Sequence, residues 1–295
     1  MRVLITGATG FIGKSVLDKI SSKEFEILAI GNKNKSNHKT QQNLHWIFGE
    51  IGKIEEVKEL IMNFNPDVVI HLAWEGIPDY AERMSKKNLA DSITFFDFII
   101  EETNCKKILS TGSCWEYGKT IGECNETDPI IISSYFTWAK HSLYEYLKLR
   151  CLQKSIILNW FRLFYIYGKG QREAALIPTI IRSIKEGVVP NIKTPFTKND
   201  FVFINDIAEL LEIAINKDTS SGIYNVGSGK TYSVVDIYKN IEIKMKNSNK
   251  DILNPFNSVI TTNEINFWAN TEKTSSVFNW SAHTSLEKLT IHELI

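Results

Sequence analysis

No run of apolar residues in this chain approaches the roughly 20 needed to cross a bilayer, so a membrane protein is not expected. Met1-Arg2-Val3 leads straight into a strand pattern rather than a basic and then apolar leader, and no signal peptide is expected. Charge of one sign is also missing: 34 basic and 34 acidic residues leave a formal net charge of +0. No global field then draws the molecule to nucleic acid or to an anionic membrane, so binding must come from a local site. Cysteine is scarce. Cys105, Cys114, Cys124 and Cys151 form no CxxC pair and have no histidine at ligand spacing, so no metal centre is expected. A cytoplasmic protein with reduced thiols follows from that usage. Internal repeats and low-complexity linkers are absent as well. The 295 residues, 43% hydrophobic, suffice for one large domain or two smaller ones.

Against that even background stands Thr6-Gly7-Ala8-Thr9-Gly10-Phe11-Ile12-Gly13, directly behind the apolar Val3-Leu4-Ile5 and ahead of a helix-like segment. Three glycines spaced three apart between a strand and a helix have a physical use. The first lets the chain turn, the second leaves room for a pyrophosphate, and the third lets helix and strand pack closely. A dinucleotide site is expected there, with its phosphates on the helix N-terminus. The second strand ends Ile30-Gly31-Asn32-Lys33-Asn34-Lys35, without the acid that would accept a ribose 2′-hydroxyl. Lys33 and Lys35 could pair with a 2′-phosphate, which tilts the expected cofactor toward NADP over NAD; the alternative is that both are solvated loop charges.

Strand-like and helix-like segments alternate along the chain. Strands are read at 26–30, 44–48, 67–73, 107–110 and 155–164, and helices at 54–63, 88–102 and 134–152. Such alternation predicts an α/β fold, a Rossmann-like doubly wound parallel sheet, with a smaller C-terminal α/β substrate lobe. Residues 1–165 are expected to form the dinucleotide-binding domain, with 200–226 returning to it. Residues 166–199 and 227–295, broken by Pro178, Pro190, Pro195 and Pro255, form the smaller lobe.

Several further segments go with the glycine motif: His71-Leu72-Ala73, Asn88, Ser113 ahead of Tyr117-Gly118, Lys140, Arg162 to Gly168, Asp200 to Asp206, and Tyr224 to Gly229. Together they resemble the extended short-chain dehydrogenase/reductase family, in its nucleotide-sugar branch. Three stretches resemble the 4-keto-6-deoxy-sugar reductases of that branch: His71 to Tyr80, Thr111 to Gly118 and Phe164 to Gln171. The resemblance implies hydride transfer between a nicotinamide and C4 of a nucleotide-activated sugar, in a homodimer serving polysaccharide synthesis. It implies cofactor contacts from Gly7, Thr9, Gly10, Phe11, Ile12, Gly13, Asn32, Lys33, Glu50, Ile51, Leu72, Ala73, Trp74, Asn88 and Lys140. Trp74, Cys114, Trp115, Tyr165, Gln171, Arg172 and Lys198 would meet the sugar nucleotide.

The resemblance further implies a Ser113 hydroxyl on the keto oxygen, and a tyrosine four residues before Lys140 as acid. On an α-helix, positions i and i+4 share a face, so both side chains would reach one site. Here the chain departs, because Phe136 holds that position and Tyr135 stands five residues before Lys140. Either an irregular helix start delivers Tyr135, or the usual acid has been lost. Cys114 and Trp115 replace the acidic pair of dehydrating relatives, and Glu116, one place later, is expected to turn away. Dehydration is therefore disfavoured. Tyr165 stands where many relatives have Asn, and Asn199 where many have Arg. An epimerase with retained cofactor and a catalytically silent nucleotide-binding protein stay open beside the reductase.

Overall fold

The computed structural model describes residues 1–21, 23–32, 42–119, 121–246 and 265–294. Its first elements are β1 (Arg2–Thr6), α1 (Phe11–Ile20), β2 (Glu26–Gly31), β3 (Leu44–Phe48), α2 (Lys58–Phe64), β4 (Val68–His71) and α3 (Glu82–Glu102). Next come β5 (Lys107–Ser113), β6 (Ile121–Cys124), α4 (Tyr135–Gln153), β7 (Ile157–Leu163), β8 (Tyr165–Tyr167) and α5 (Leu176–Glu186). The chain continues through β9 (Lys198–Phe203), α6 (Ile204–Asn216), β10 (Gly222–Val226), β11 (Thr231–Ser233) and α7 (Val234–Lys246). It ends with β12 (Asn266–Ala269), α8 (Glu272–Phe278) and α9 (Ile291–Leu294).

These elements fall into two units. The first comprises Met1–Gly118, Asp128–Leu163 and Ala208–Tyr224; the second comprises Lys119–Thr127, Phe164–Ile207 and Asn225–Ile295. Residues 119–127 thus group with the second unit, although the sequence pattern places them in the first.

A seven-stranded sheet in the order β10-β7-β5-β4-β1-β2-β3 runs through the first unit. From β3 to β7 every neighbouring pair is parallel. This is the doubly wound α/β arrangement that alternating strands and helices predict. Strands buried on both faces read as continuous apolar runs, as in Val68-Val69-Ile70. Leu4, Val69 and Ile108 of the sheet pack with Phe95, Phe96 and Leu143 of α3 and α4 in one cluster. Lys107, at the start of β5, is buried and donates to the carbonyls of Ala214, Ile215 and Lys217 at the end of α6.

Local chemistry moves several boundaries. The segment read as one helix from 54 breaks at Val57, whose buried β-branched side chain accompanies a non-helical φ of −127° and ψ of −9°. Helix α3 begins six residues before Asn88, set up by Asp79, whose carboxylate accepts from the Ala81 amide at 3.0 Å. Strand β5 runs on to Ser113, its whole length paired with β7.

The second unit has a five-stranded sheet in the order β11-β9-β12-β6, with β8 also on β9. Asp200 is buried at its centre and accepts from the Ser228 amide (2.6 Å), the Ser228 hydroxyl (2.7 Å), and the Gly229 and Ala269 amides. Burial pushes its carboxyl above the ordinary range, and those donors oppose the shift. Asp206 holds the Thr284 amide and hydroxyl in the same way.

Candidate active site

The strand order reverses at β1 and β4, where Thr6 stands opposite His71. Loops leaving the carboxyl ends of two such strands open a crevice for a ligand. Gly7 takes φ +70°, and a Cβ there would lie 2.7 Å from the Ala73 nitrogen. Gly13 is tighter still, its added Cβ meeting the Gly7 carbonyl oxygen at 2.3 Å. Gly10 differs: a Cβ would meet only that oxygen, at 3.0 Å, so the space beyond it is free. It is also the N-cap of α1 and caps without a side chain, leaving Phe11, Ile12 and Gly13 to present the first-turn amides. A turn, an open face and the positive end of a helix fit a pyrophosphate. This backbone therefore fits a dinucleotide.

Thr9 accepts from the Asn32 amide at 3.1 Å, joining the glycine loop to the end of β2. Lys33, the cation expected beside the ribose, lies outside the described residues, as does Lys35. Glu50 pairs with Lys53 on the surface at 3.2 Å, and Ile51 packs on the core. His71 is buried between the Thr6 hydroxyl at 2.9 Å and the Ser92 hydroxyl at 3.3 Å. Burial, with Lys140 adding to it, lowers its pKa to about 3, so the imidazole is neutral.

Beyond β4 the chain forms a loop carrying Leu72, Ala73, Trp74 and Tyr80. Asn88 of α3 pins it. Its carboxamide oxygen accepts from the Glu75 amide, and its nitrogen donates to the Glu75 and Met84 carbonyls. The side chain expected at the cofactor is thus spent on shaping the loop.

Ser113 caps the tight turn 114–117, its hydroxyl accepting from the Trp115 amide at 3.2 Å. The Ser113 amide in turn donates to the Glu116 carboxylate at 2.8 Å. Glu116 is fully buried, ion-paired to the Arg162 Nε at 3.1 Å and also accepting from the Trp160 indole. It turns into the core, away from the open end of β5. Arg162 stacks over Tyr117, 4.5 Å from the ring centre. Cys114 is buried; Trp115 is half-buried.

Helix α4 begins regularly, with Ser134 and Thr137 bonding each other's backbone amide across the first turn. No irregular turn delivers Tyr135 toward Lys140. That residue is exposed, and its phenol, after the neighbouring Lys86, helps to hold the Glu82 carboxyl below the ordinary range. The position one turn before Lys140 belongs to Phe136, which is 7% exposed. Lys140 donates to the Thr111 carbonyl at 2.8 Å and lies 3.9 Å above the Trp74 ring. Burial lowers its pKa to about 7, although a carbonyl and a ring face each favour the ammonium.

Ser113, Trp115, Phe136, Lys140 and Trp74 therefore gather in the first unit. Of the expected substrate contacts in the second unit, Tyr165 packs on Phe201 and Phe267. Gln171 donates to the Ile166 carbonyl at 2.7 Å and leaves its own oxygen buried without a partner. Arg172 and Lys198 are exposed, and Asn199 is buried with an unpartnered carboxamide oxygen. Sequence reasoning missed two features, the buried partner of Glu116 and the ring of Tyr80. Only the Tyr inside the stretch from His71 to Tyr80 hinted at the second.

The model of the NAD dependent epimerase/dehydratase family matches residues 3–227. The chain is 26% identical over 279 residues to the dTDP-4-dehydro-6-deoxyglucose reductase of Escherichia coli, covering 88% of this chain and 86% of that protein. It is 25% identical over 247 residues to the dTDP-6-deoxy-L-talose 4-dehydrogenase (NAD(+)) of Aggregatibacter actinomycetemcomitans, covering 79% and 87%. Among solved structures it is similar in fold to the UDP-glucose 4-epimerase of Thermotoga maritima, with TM-score 0.83, 19% identity and coverage of 98% and 96%.

Proposed function

The chain belongs to the NAD dependent epimerase/dehydratase family, and from that premise we propose that it reduces the C4 keto group of a nucleotide-activated 6-deoxy sugar. The observation that carries this reading is the turn after β5. Ser113 keeps a hydroxyl at the open end of the strand, whereas Glu116 is locked onto Arg162 and Cys114 and Trp115 supply no carboxylic acid. A site with a carbonyl-polarising hydroxyl and no acid for a leaving hydroxyl suits reduction better than dehydration. The relatives whose names describe 4-keto-sugar reduction and 4-dehydrogenation support the same chemistry.

In this reading the first unit binds the dinucleotide and the second the sugar nucleotide. A bound nicotinamide supplies the hydride. The glycine loop and the first-turn amides of α1 hold the pyrophosphate, Lys140 holds the nicotinamide ribose, and Ser113 donates to the keto oxygen. Asn32, in place of an acid, leaves a 2′-phosphate unopposed, so NADPH is the expected reductant. The protein acts in the cytoplasm as a homodimer whose product enters polysaccharide synthesis.

The test is absorbance at 340 nm with 4-keto-6-deoxy sugars carried on dTDP, CDP, GDP and UDP. Oxidation of one NADPH per alcohol formed is the expected result. Turnover without added cofactor would identify an epimerase, a reading that the fold similarity to a 4-epimerase keeps in view. Titration should find NADPH bound at least as tightly as NADH; a tenfold preference for NADH, about 1.4 kcal/mol, would overturn the cofactor choice.

A further inference from the structure

Helix α4 offers no phenol one turn before Lys140, where Phe136 stands, since Tyr135 is exposed; Tyr144, one turn after Lys140, is packed into the core against Trp160. Carbonyl reduction still needs a proton at the oxygen. Phe136 packs against three rings, with centroid separations of 5.7 Å to Trp74, 5.0 Å to Tyr80 and 5.9 Å to Trp115. Of these three, Tyr80 alone carries an O–H acid. Its ring also lies 5.2 Å from that of Trp115, the residue whose amide donates to the Ser113 hydroxyl.

The loop that presents Tyr80 is held at both ends. Asn88 ties Glu75 and Met84, the Asp79 amide donates to the Gly76 carbonyl at 2.6 Å, and Asp79 caps the entry to α3. A phenol on such a loop is oriented by the fold before any ligand arrives. Asn88, Asp79 and Gly76 shape the loop through these bonds.

We propose that Tyr80 is the catalytic acid of this chain, delivering from the β4–α3 loop the proton that α4 does not supply. The proposal rests on the reductase reading above. As hydride from the reduced nicotinamide forms the new C–H bond at the sugar's C4, the carbonyl π electrons pass to oxygen, which takes the phenolic proton of Tyr80. The sugar leaves as the alcohol, the dinucleotide leaves oxidised, and solvent returns a proton to the phenolate. Tyr80 would have a second function in the ground state, where its ring, with those of Trp74 and Trp115, offers apolar faces to a deoxy sugar.

The experiment compares Tyr80→Phe, Tyr135→Phe, Phe136→Tyr and the double variant Tyr80→Phe/Phe136→Tyr in the full-length protein. Tyr80→Phe keeps the ring and so its packing, and should lower kcat about a hundredfold or more, the usual range of general acid catalysis. Its NADPH affinity, read by fluorescence titration, should not change. Tyr135→Phe should leave kcat unaltered, and the double variant should recover most of the lost rate, because the new hydroxyl stands one turn before Lys140. Replacing Tyr80 with 3-fluorotyrosine, a stronger acid, should move the basic limb of the pH–kcat profile to lower pH. Its fluorine resonance should shift when the product alcohol joins the protein with oxidised cofactor.

Wild-type-like kcat in Tyr80→Phe, or a fluorine resonance indifferent to the alcohol, overturns the assignment and leaves the reductase reading intact. A wild type that binds NADPH yet reduces none of the four keto sugars overturns both. In that case Phe136 marks a protein kept for binding alone.

Discussion

A single hydroxyl separates Ser113 from alanine, and its removal tests the reading at its smallest scale. Ser113→Ala should lower turnover about a hundredfold, since one preorganised donor to the developing oxyanion is lost, with cofactor affinity unchanged by fluorescence titration. Near wild-type turnover would move the carbonyl contact to another residue, Thr111 being the nearest candidate on β5. Behind Ser113, Glu116→Gln leaves the Arg162 charge buried without its partner. Broken buried pairs cost about 3–5 kcal/mol, so urea unfolding should show a loss of that size; a change below about 1 kcal/mol would show that the pair does not hold the turn. These two residues differed in legibility. The hydroxyl of Ser113 could be read from its position ahead of Tyr117-Gly118. That Glu116 turns away could be read as well, but not what it meets, because its partner lies 46 residues further on, on another strand, and no local spacing encodes that meeting.

Among the elements, the β1–α1 junction was the most readable, because its constraints are backbone constraints and act within a few residues. It also gives a paired test. Gly10→Val should leave a folded protein that no longer binds the dinucleotide, since the added branch fills free space beyond the N-cap. Gly13→Ala should instead destabilise, because its new Cβ would sit 2.3 Å from the Gly7 carbonyl oxygen. Circular dichroism melting with cofactor fluorescence separates the two outcomes, and retained binding in a folded Gly10→Val would reduce the motif to a turn. That α4 begins near Ser134 was legible, yet the regularity of its first turn, and the consequence for Tyr135, were not. A one-residue shift on a helix moves a side chain by about 100°, and only the completed packing shows which residue faces Lys140. Helix α3 hid its beginning in the same way. Asp79 starts it from two residues outside the N-cap, where Ala81 gives no capping signal.

For the molecule as a whole, the buried His71 links stability to acidity. Its folded pKa of about 3 lies below the ordinary 6.5, so between those values the unfolded chain binds a proton that the folded chain refuses. Stability is therefore unaffected by this group above pH 6.5 and falls as pH drops through the window, at up to roughly 1.4 kcal/mol per pH unit. His71→Gln should flatten that acid arm in urea unfolding at stepped pH; an unchanged slope would show that His71 is not the group responsible. The doubly wound sheet was legible from alternation, whereas the grouping of residues 119–127 was not. The segment 119–127 joins the second unit because β6 pairs in register with β12, Ile121 opposite Asn266, and sequence separation conceals such partners. The buried ammonium of Lys107 has a further consequence, for the order of synthesis. It is bonded to carbonyls at positions 214, 215 and 217. A nascent chain that has emerged only through β7 thus holds most of the parallel sheet with this charge uncapped. Stalled ribosomes carrying the first 165 residues should yield a protease-sensitive chain, and those carrying 224 residues beyond the exit tunnel a resistant first unit. The first unit would then mature late, after about three quarters of the chain has been translated.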